Sequence, residues 1–199
     1  MIKLNLQFFA DKVMLIAMEF ATLDVQSAIG AGITSGSATR LVCGEADGVA
    51  GGTGRVAGTD NACSVVWRGL ENWWGNITEY VDGANINNGH WYTCLNQLQF
   101  ADDTTANYTD TGITWSTSLS LSYSKHLTAT LVPLPDVFGG SSTTYLCDGT
   151  STTTGWATVT TGGYYGDGAL SGIWCLKGNV TSAQTISLAT SRLMYVPAA

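Results

Sequence analysis

Charge is what this sequence has least of. Only 12 % of its residues are Asp, Glu, Lys or Arg, about half the usual share of a soluble domain. The eight Lys and Arg form no cluster, and the net charge is −7. Binding to phosphates needs Lys and Arg concentrated enough to release counterions, which excludes DNA and RNA as direct partners. Long hydrophobic runs are missing too, and a membrane-spanning helix needs roughly 20 apolar residues in succession. The apolar stretch Val13 to Met18 is hemmed in by Asp11 and Glu19, which argues against a secretion signal. Cys43, Cys63, Cys94, Cys147 and Cys175 contain no C-x-x-C pair, and His90 and His126 stand apart. A zinc site is therefore not expected. The odd cysteine count and the missing signal point to reduced thiols in a cytoplasmically assembled protein. No convergent set of titratable groups is visible, so no catalytic activity is expected.

What the chain does have is apolar mass and glycine. Hydrophobic residues make up 45 % of its 199 residues, with 24 Gly, seven Trp and eight Tyr. That is one globular domain's worth of core, far from the composition of a disordered chain. Residues 1–12 read as an arm or strand, because Ile2, Leu4 and Leu6 alternate with polar neighbours. Leu4, Leu6, Phe8 and Phe9 make that arm too apolar to hang free, so it is expected to attach to another chain. Residues 13–199 form the domain proper. The spacing of Val13, Ile16, Phe20, Leu23 and Ala28 predicts one helix over 12–29, capped by Asp11 and ended by Gly30. Short strands are predicted over 62–68, 77–81, 91–95, 155–160, 172–176 and 191–196. The clearest strand pattern is 113–123, where Ile113, Trp115, Leu119, Leu121 and Tyr123 share one face and serines the other. It is expected to continue over 127–132 until Pro133 and Pro135 stop it. Residues 148–154 read as a polar, Thr-rich loop. Trp73 and Trp74 are adjacent, so one is expected in the core and the other outside.

The segment Gly69-Leu-Glu-Asn-Trp-Trp-Gly-Asn-Ile-Thr-Glu-Tyr80 resembles the G-L-x-[DN]-x-x-G-N-V-x-E-W signature of the formylglycine-generating-enzyme family. Gly69, Leu70, Gly75, Asn76 and Glu79 match it, and Asn72, Ile77 and Tyr80 are conservative replacements. Thr161-Gly162-Gly163-Tyr164-Tyr165 is similar to the family's R-G-G-S-W element with its Arg replaced, and Arg192 falls near the Arg of the closing G-F-R strand. The resemblance implies an α+β, C-type-lectin-like fold: a small twisted antiparallel sheet, one or two helices, many short strands and long loops. In that fold Asn76 and Glu79 are expected to bond loop backbone that lacks ladder partners. The helix segment Met18 to Gly30, the segment Arg68 to Asn76 and the segment Ser171 to Leu176 resemble a branch found in bacteriophage and prophage virion proteins. That implies a virion structural protein, assembled in the host cytoplasm, acting in host-surface binding as a tail or fibre component or in capsid decoration. A homo-oligomer is expected, joined to other virion proteins through the arm. A secreted or surface bacterial adhesin is the alternative, and a formylglycine-generating oxidase a remoter one.

Three sets of residues could carry function. Trp156, Tyr164, Tyr165 and Trp174 fall where lectin-like domains of this branch display binding residues, and they are the candidate surface for a host glycan or protein. Asp82, Asp102, Asp103 and Asp110 could offer oxygens to a structural calcium, although their spacing is not that of a calcium loop. No other cofactor is expected. The family's oxidases hold copper between two nearby thiols, whereas Cys175, flanked by Trp174 and Leu176, has no such neighbour in sequence and reads as a core thiol.

Overall fold

The computed structural model describes residues 2–37, 41, 44–128 and 132–194. The architecture is mixed α+β, mostly sheet with few helices. The chain opens on β1 (Ile2–Lys3) and enters helix α1 (Leu6–Phe20), followed by the short helix α2 (Val25–Ile29). A small sheet holds β2 (Gly54–Arg55), β3 (Val65–Trp67) and β4 (Leu70–Glu71). The large sheet begins with β5 (Thr78–Asn87), β6 (His90–Thr93), β7 (Thr109–Thr114), β8 (Ser122–Leu127) and β9 (Pro135–Phe138). It is completed by β10 (Gly149–Thr152), β11 (Trp156–Gly162), β12 (Gly172–Val180) and β13 (Ala189–Thr190). The last strand, β14 (Leu193–Met194), pairs antiparallel with β1 and ties the two ends of the described chain together.

The order in the large sheet is β7-β6-β5-β11-β12-β10-β8-β9, with β13 also paired to β5. All ladders along that path are antiparallel except β10 with β12. β5, β11 and β12 are therefore covered on both edges, and they carry the core residues Val81, Ile86, Val159, Ile173, Trp174 and Leu176. Indoles fill the space between sheet and loops: Trp67, Trp74, Trp91, Trp115 and Trp174 are all fully buried. Trp91 and Trp115 pack with centroids 4.6 Å apart, and Phe138 meets Trp115 edge-on at 5.7 Å.

Several expectations are corrected. The helix starts at Leu6, not at Lys12, because Asn5 caps it by accepting the Phe8 N–H at 2.8 Å. Asp11 is an exposed mid-helix residue that accepts from Gln7. Leu6, Phe9, Ala10, Val13 and Ile16 line one face of the helix and are buried, so with Leu4 these residues anchor the segment 4–10 in the core of this domain instead of leaving it a separate arm. The expected single helix breaks after Phe20 because Ala21 turns left-handed, and Asp24 caps a new one through the Ser27 N–H. The alternating stretch 113–123 is two strand ends joined by a turn. Trp115 makes the last backbone bond, to the Gly89 carbonyl, while its indole N–H donates to the Pro135 carbonyl at 2.6 Å, and Ser116 to Leu119 form a hydrogen-bonded turn, the local alternative that serines offer the backbone. Pro135 opens β9 instead of stopping the sheet, and it does so at an edge where a missing N–H is harmless. The Thr-rich loop is β10, buried at every position, with Thr150 and Thr152 hydroxyls donating to the Ser122 and Gly178 carbonyls. Trp73 and Trp74 are both buried: Trp73 stacks on Trp67, and Trp74 donates to the Gly30 carbonyl at 3.0 Å. The expected continuation over 129–131 and the end of the last strand beyond Met194 lie outside the described residues, as does Cys43.

Candidate functional site

The signature segment folds as a chain of left-handed turns. Arg68 and Gly69 both take positive φ and close the β3–β4 hairpin as a two-residue turn, with Leu70 paired to Trp67. Asn72, also left-handed, accepts the Val65 N–H through its side chain. Gly75 (φ 75°) leaves no room for a side chain: a Cβ there would sit 2.8 Å from the Ile33 carbonyl oxygen. Its N–H donates to the Gly162 carbonyl, and the Asn76 carbonyl accepts from the Tyr165 N–H. The two segments that carry the family resemblance thus meet in space. Glu79 does not staple loop backbone, as the signature implies; it pairs with the Arg192 guanidinium, which also donates to the Glu71 carbonyl. Glu79 is only 2 % exposed. Burial raises its pKa to about 7, outweighing the attraction of Arg192. Its second oxygen, Oε2, is buried without a hydrogen-bond partner among the described residues. These groups line a cleft of about 500 Å³ with Asn72, Asn76 and Ser191, and their arrangement is that of a clasp closing β5 against the C-terminal segment.

The aromatic surface expected from sequence is not assembled. Trp174 lies wholly in the core, because β12 is covered on both faces as well as both edges. Trp156 is half-buried at the start of β11. Tyr164 and Tyr165 follow its far end, roughly 20 Å away along a strand of that length. The two tyrosines are half-buried and meet edge-on at 5.2 Å. Tyr164 is further occupied by the Lys177 ammonium over its ring at 4.6 Å, and Lys177 is paired in turn with the buried Asp167.

The four candidate carboxylates divide differently. Asp110 bonds His90 at 2.6 Å and accepts from the Gly112 N–H at 2.7 Å; these contacts, the Gly112 bond first, lower its pKa. It takes no part in a shared site with the others. Asp82 and Asp102 line one cleft of about 340 Å³ together with Tyr80, Tyr108, Thr158 and Gln184. Asp103 stands at its rim, accepting from Ser182 at 2.5 Å. The cleft is built by β5 and by the loop 100–108. Asn85 donates both amide protons to that loop, at the Ala101 and Thr104 carbonyls, and Tyr108 both accepts from the Ala101 N–H and donates to its carbonyl. Gly83 lets the loop approach, since a Cβ there would sit 2.7 Å from the Cys94 carbonyl oxygen and 2.9 Å from the Phe100 ring. Burial, and more weakly the carboxylates of Asp102 and Asp82, raise the Tyr108 pKa, so its hydroxyl stays protonated. Among the described residues no group of three or more His, Cys, Asp or Glu is placed to hold a metal ion. Sequence reasoning named Asp82 and Asp102 but missed Asn85, Tyr108 and Gln184; the signal for Tyr108 was the polar, Asp- and Thr-rich stretch 102–111 around it, and nothing local marked Asn85 or Gln184.

Among the described residues that line this cleft, the Ser182 hydroxyl is bonded to a carboxylate, that of Asp103 at the rim, and no His, Cys or Lys lines it. The remaining reactive groups are the thiols: Cys63, Cys94, Cys147 and Cys175 form no disulfide and are buried, and burial pushes the Cys147 and Cys175 thiols far above their ordinary pKa. A thiol so raised is neither a ready nucleophile nor a ready metal ligand. Compared with known proteins, the chain matches no family model and no curated protein.

Proposed function

We propose that this chain is a non-enzymatic, C-type-lectin-like virion structural protein that binds a saccharide of the host surface in the cleft between β5 and the loop 100–108. The observation that carries the reading is the composition of that cleft: two carboxylates, two tyrosines, two amides and hydroxyls around one opening. Carboxylates accept from paired sugar hydroxyls through charge-assisted bonds, while aromatic rings cover the apolar C–H face of a pyranose and keep water away. The phage assignment rests on the resemblance of the segments 18–30, 68–76 and 171–176. Calcium has no part in this reading: Ca²⁺ takes six to eight oxygens, and among the described residues no group of three or more carboxylates, thiols or imidazoles is placed to hold a metal ion.

Calorimetric titration with fragments of host cell-wall polysaccharide tests it. Asp82→Asn and Asp102→Asn are each expected to weaken binding about tenfold or more, as the loss of a charge-assisted bond implies, with no change on adding EDTA. Unaltered affinity in both variants overturns the cleft. Mass spectrometry of purified particles tests the location: many copies per virion are expected, and a chain absent from virions but abundant in the medium of uninfected host cells supports the adhesin instead.

A further inference from the structure

We infer that the outward face of α1 is the interface of a homodimer, in which the same helix of a second copy packs antiparallel. The helix turns Leu6, Phe9, Ala10, Val13 and Ile16 into the core, yet its opposite face carries large apolar side chains beside the exposed Asp11. Met14 is 44 % exposed, Leu15 39 % and Met18 65 %. At roughly 100° per residue these three fall within one third of the helix circumference, and the half-buried Phe8 prolongs the stripe toward the N-terminus. A single exposed apolar residue needs no explanation, but a contiguous stripe on one helix does.

The charges beside the stripe say what covers it. Lys12 and Glu19 stand two turns apart on the same edge of the helix, about 10 Å from each other, one before and one after the apolar centre. A twofold axis passing between residues 15 and 16 reverses that order on the facing helix. Lys12 of one copy then meets Glu19 of the other, and the pair forms twice. A self-complementary patch of this kind is what an isologous interface requires, and a copy of α1 supplies the reversed order at matched spacing. Glu19 is already held in place by Trp67 and Arg68, which donate to its Oε2 at 3.1 and 2.9 Å, so ordering it on association costs little. Asp11 is exposed on the same face, one turn before Met14 and Leu15; the axis keeps its copy roughly 13 Å away along the helices, too far to repel strongly. A few turns of helix is a small interface, which implies a reversible dimer of modest affinity.

Sedimentation equilibrium of the full chain, run from micromolar to millimolar concentration, is expected to show a monomer–dimer equilibrium. Met18→Lys should abolish it and Lys12→Glu should weaken it about tenfold, with melting temperatures unchanged because both side chains are outside the core. In a Cys43→Ser background, Leu15→Cys should give a covalent dimer on mild oxidation, since the axis brings the two Leu15 positions opposite each other. A protein that stays monomeric throughout with no Leu15→Cys cross-link overturns the inference. So does a dimer that survives both substitutions, which places the contact on another face.

Discussion

Glu79 and Asp148 show how single buried carboxyls set the behaviour of this domain with pH. Asp148 is in the core, accepting the Trp174 N–H at 2.8 Å, and desolvation raises its pKa to about 8 against that bond. Glu79 is raised to about 7 for the same reason. Both folded-state values lie above the unfolded ones. The stability they contribute is complete below their ordinary pKa near 4 and is lost as pH rises through about 7 to 8. The domain should therefore melt higher at about pH 5 than at about pH 8, by several degrees. Asp110 titrates in the opposite sense, but it is fully exposed and shifts that balance little. Asp148→Asn and Glu79→Gln together should flatten the profile, and a melting temperature that instead rises steadily from acid to about pH 8 contradicts the assignment. Sequence was partly legible at these positions. Gly75-Asn76 announced a left-handed turn, and the structure has one at both residues. That Glu79 would face Arg192, far along the chain, was not legible: the resemblance pointed Glu79 at loop backbone, and no local rule reaches so far.

Among the elements, the misread segments share a cause. β10 is polar in composition yet wholly buried, because its Thr hydroxyls find carbonyls on neighbouring strands. β-branched threonine suits a strand once those partners exist, and sequence does not announce them. The alternation over 113–123 was genuine, but Trp115 and the partly buried Leu119 enter the core from a turn, so period-two spacing arose without an extended chain. The helix start turned on one side chain. Asn5→Ala removes the cap on the Phe8 N–H and should cost about 1 kcal/mol in denaturant unfolding, while Asp11→Ala should cost much less. Equal effects of the two would return the cap to Asp11.

Across the domain, the N-terminal residues lock the fold instead of extending from it. β1 pairs with β14, the Leu4 N–H donates to the Arg192 carbonyl, and Leu4 and Phe9 are buried. Deleting residues 1–10 should therefore give an unfolded or insoluble chain, judged by circular dichroism and gel filtration; a truncated protein that melts as cooperatively as the full chain contradicts this. Reading the residues in order was enough to recognise a charge-poor globular α+β domain, to locate its glycine turns, and to see apolar residues of α1 recur at helical spacing. Those properties are local: they depend on backbone preference and on side chains a few positions apart. It took the folded arrangement to show that Asp82 and Asp102 share a cleft while Asp110 does not, that Trp174 is core rather than surface, and that Leu6 and Phe9 point inward. Each of these depends on which strand lies beside which, and in a sheet ordered β5-β11-β12-β10 the neighbours come from distant parts of the chain, brought together by burial and ladder pairing that no short window of sequence contains.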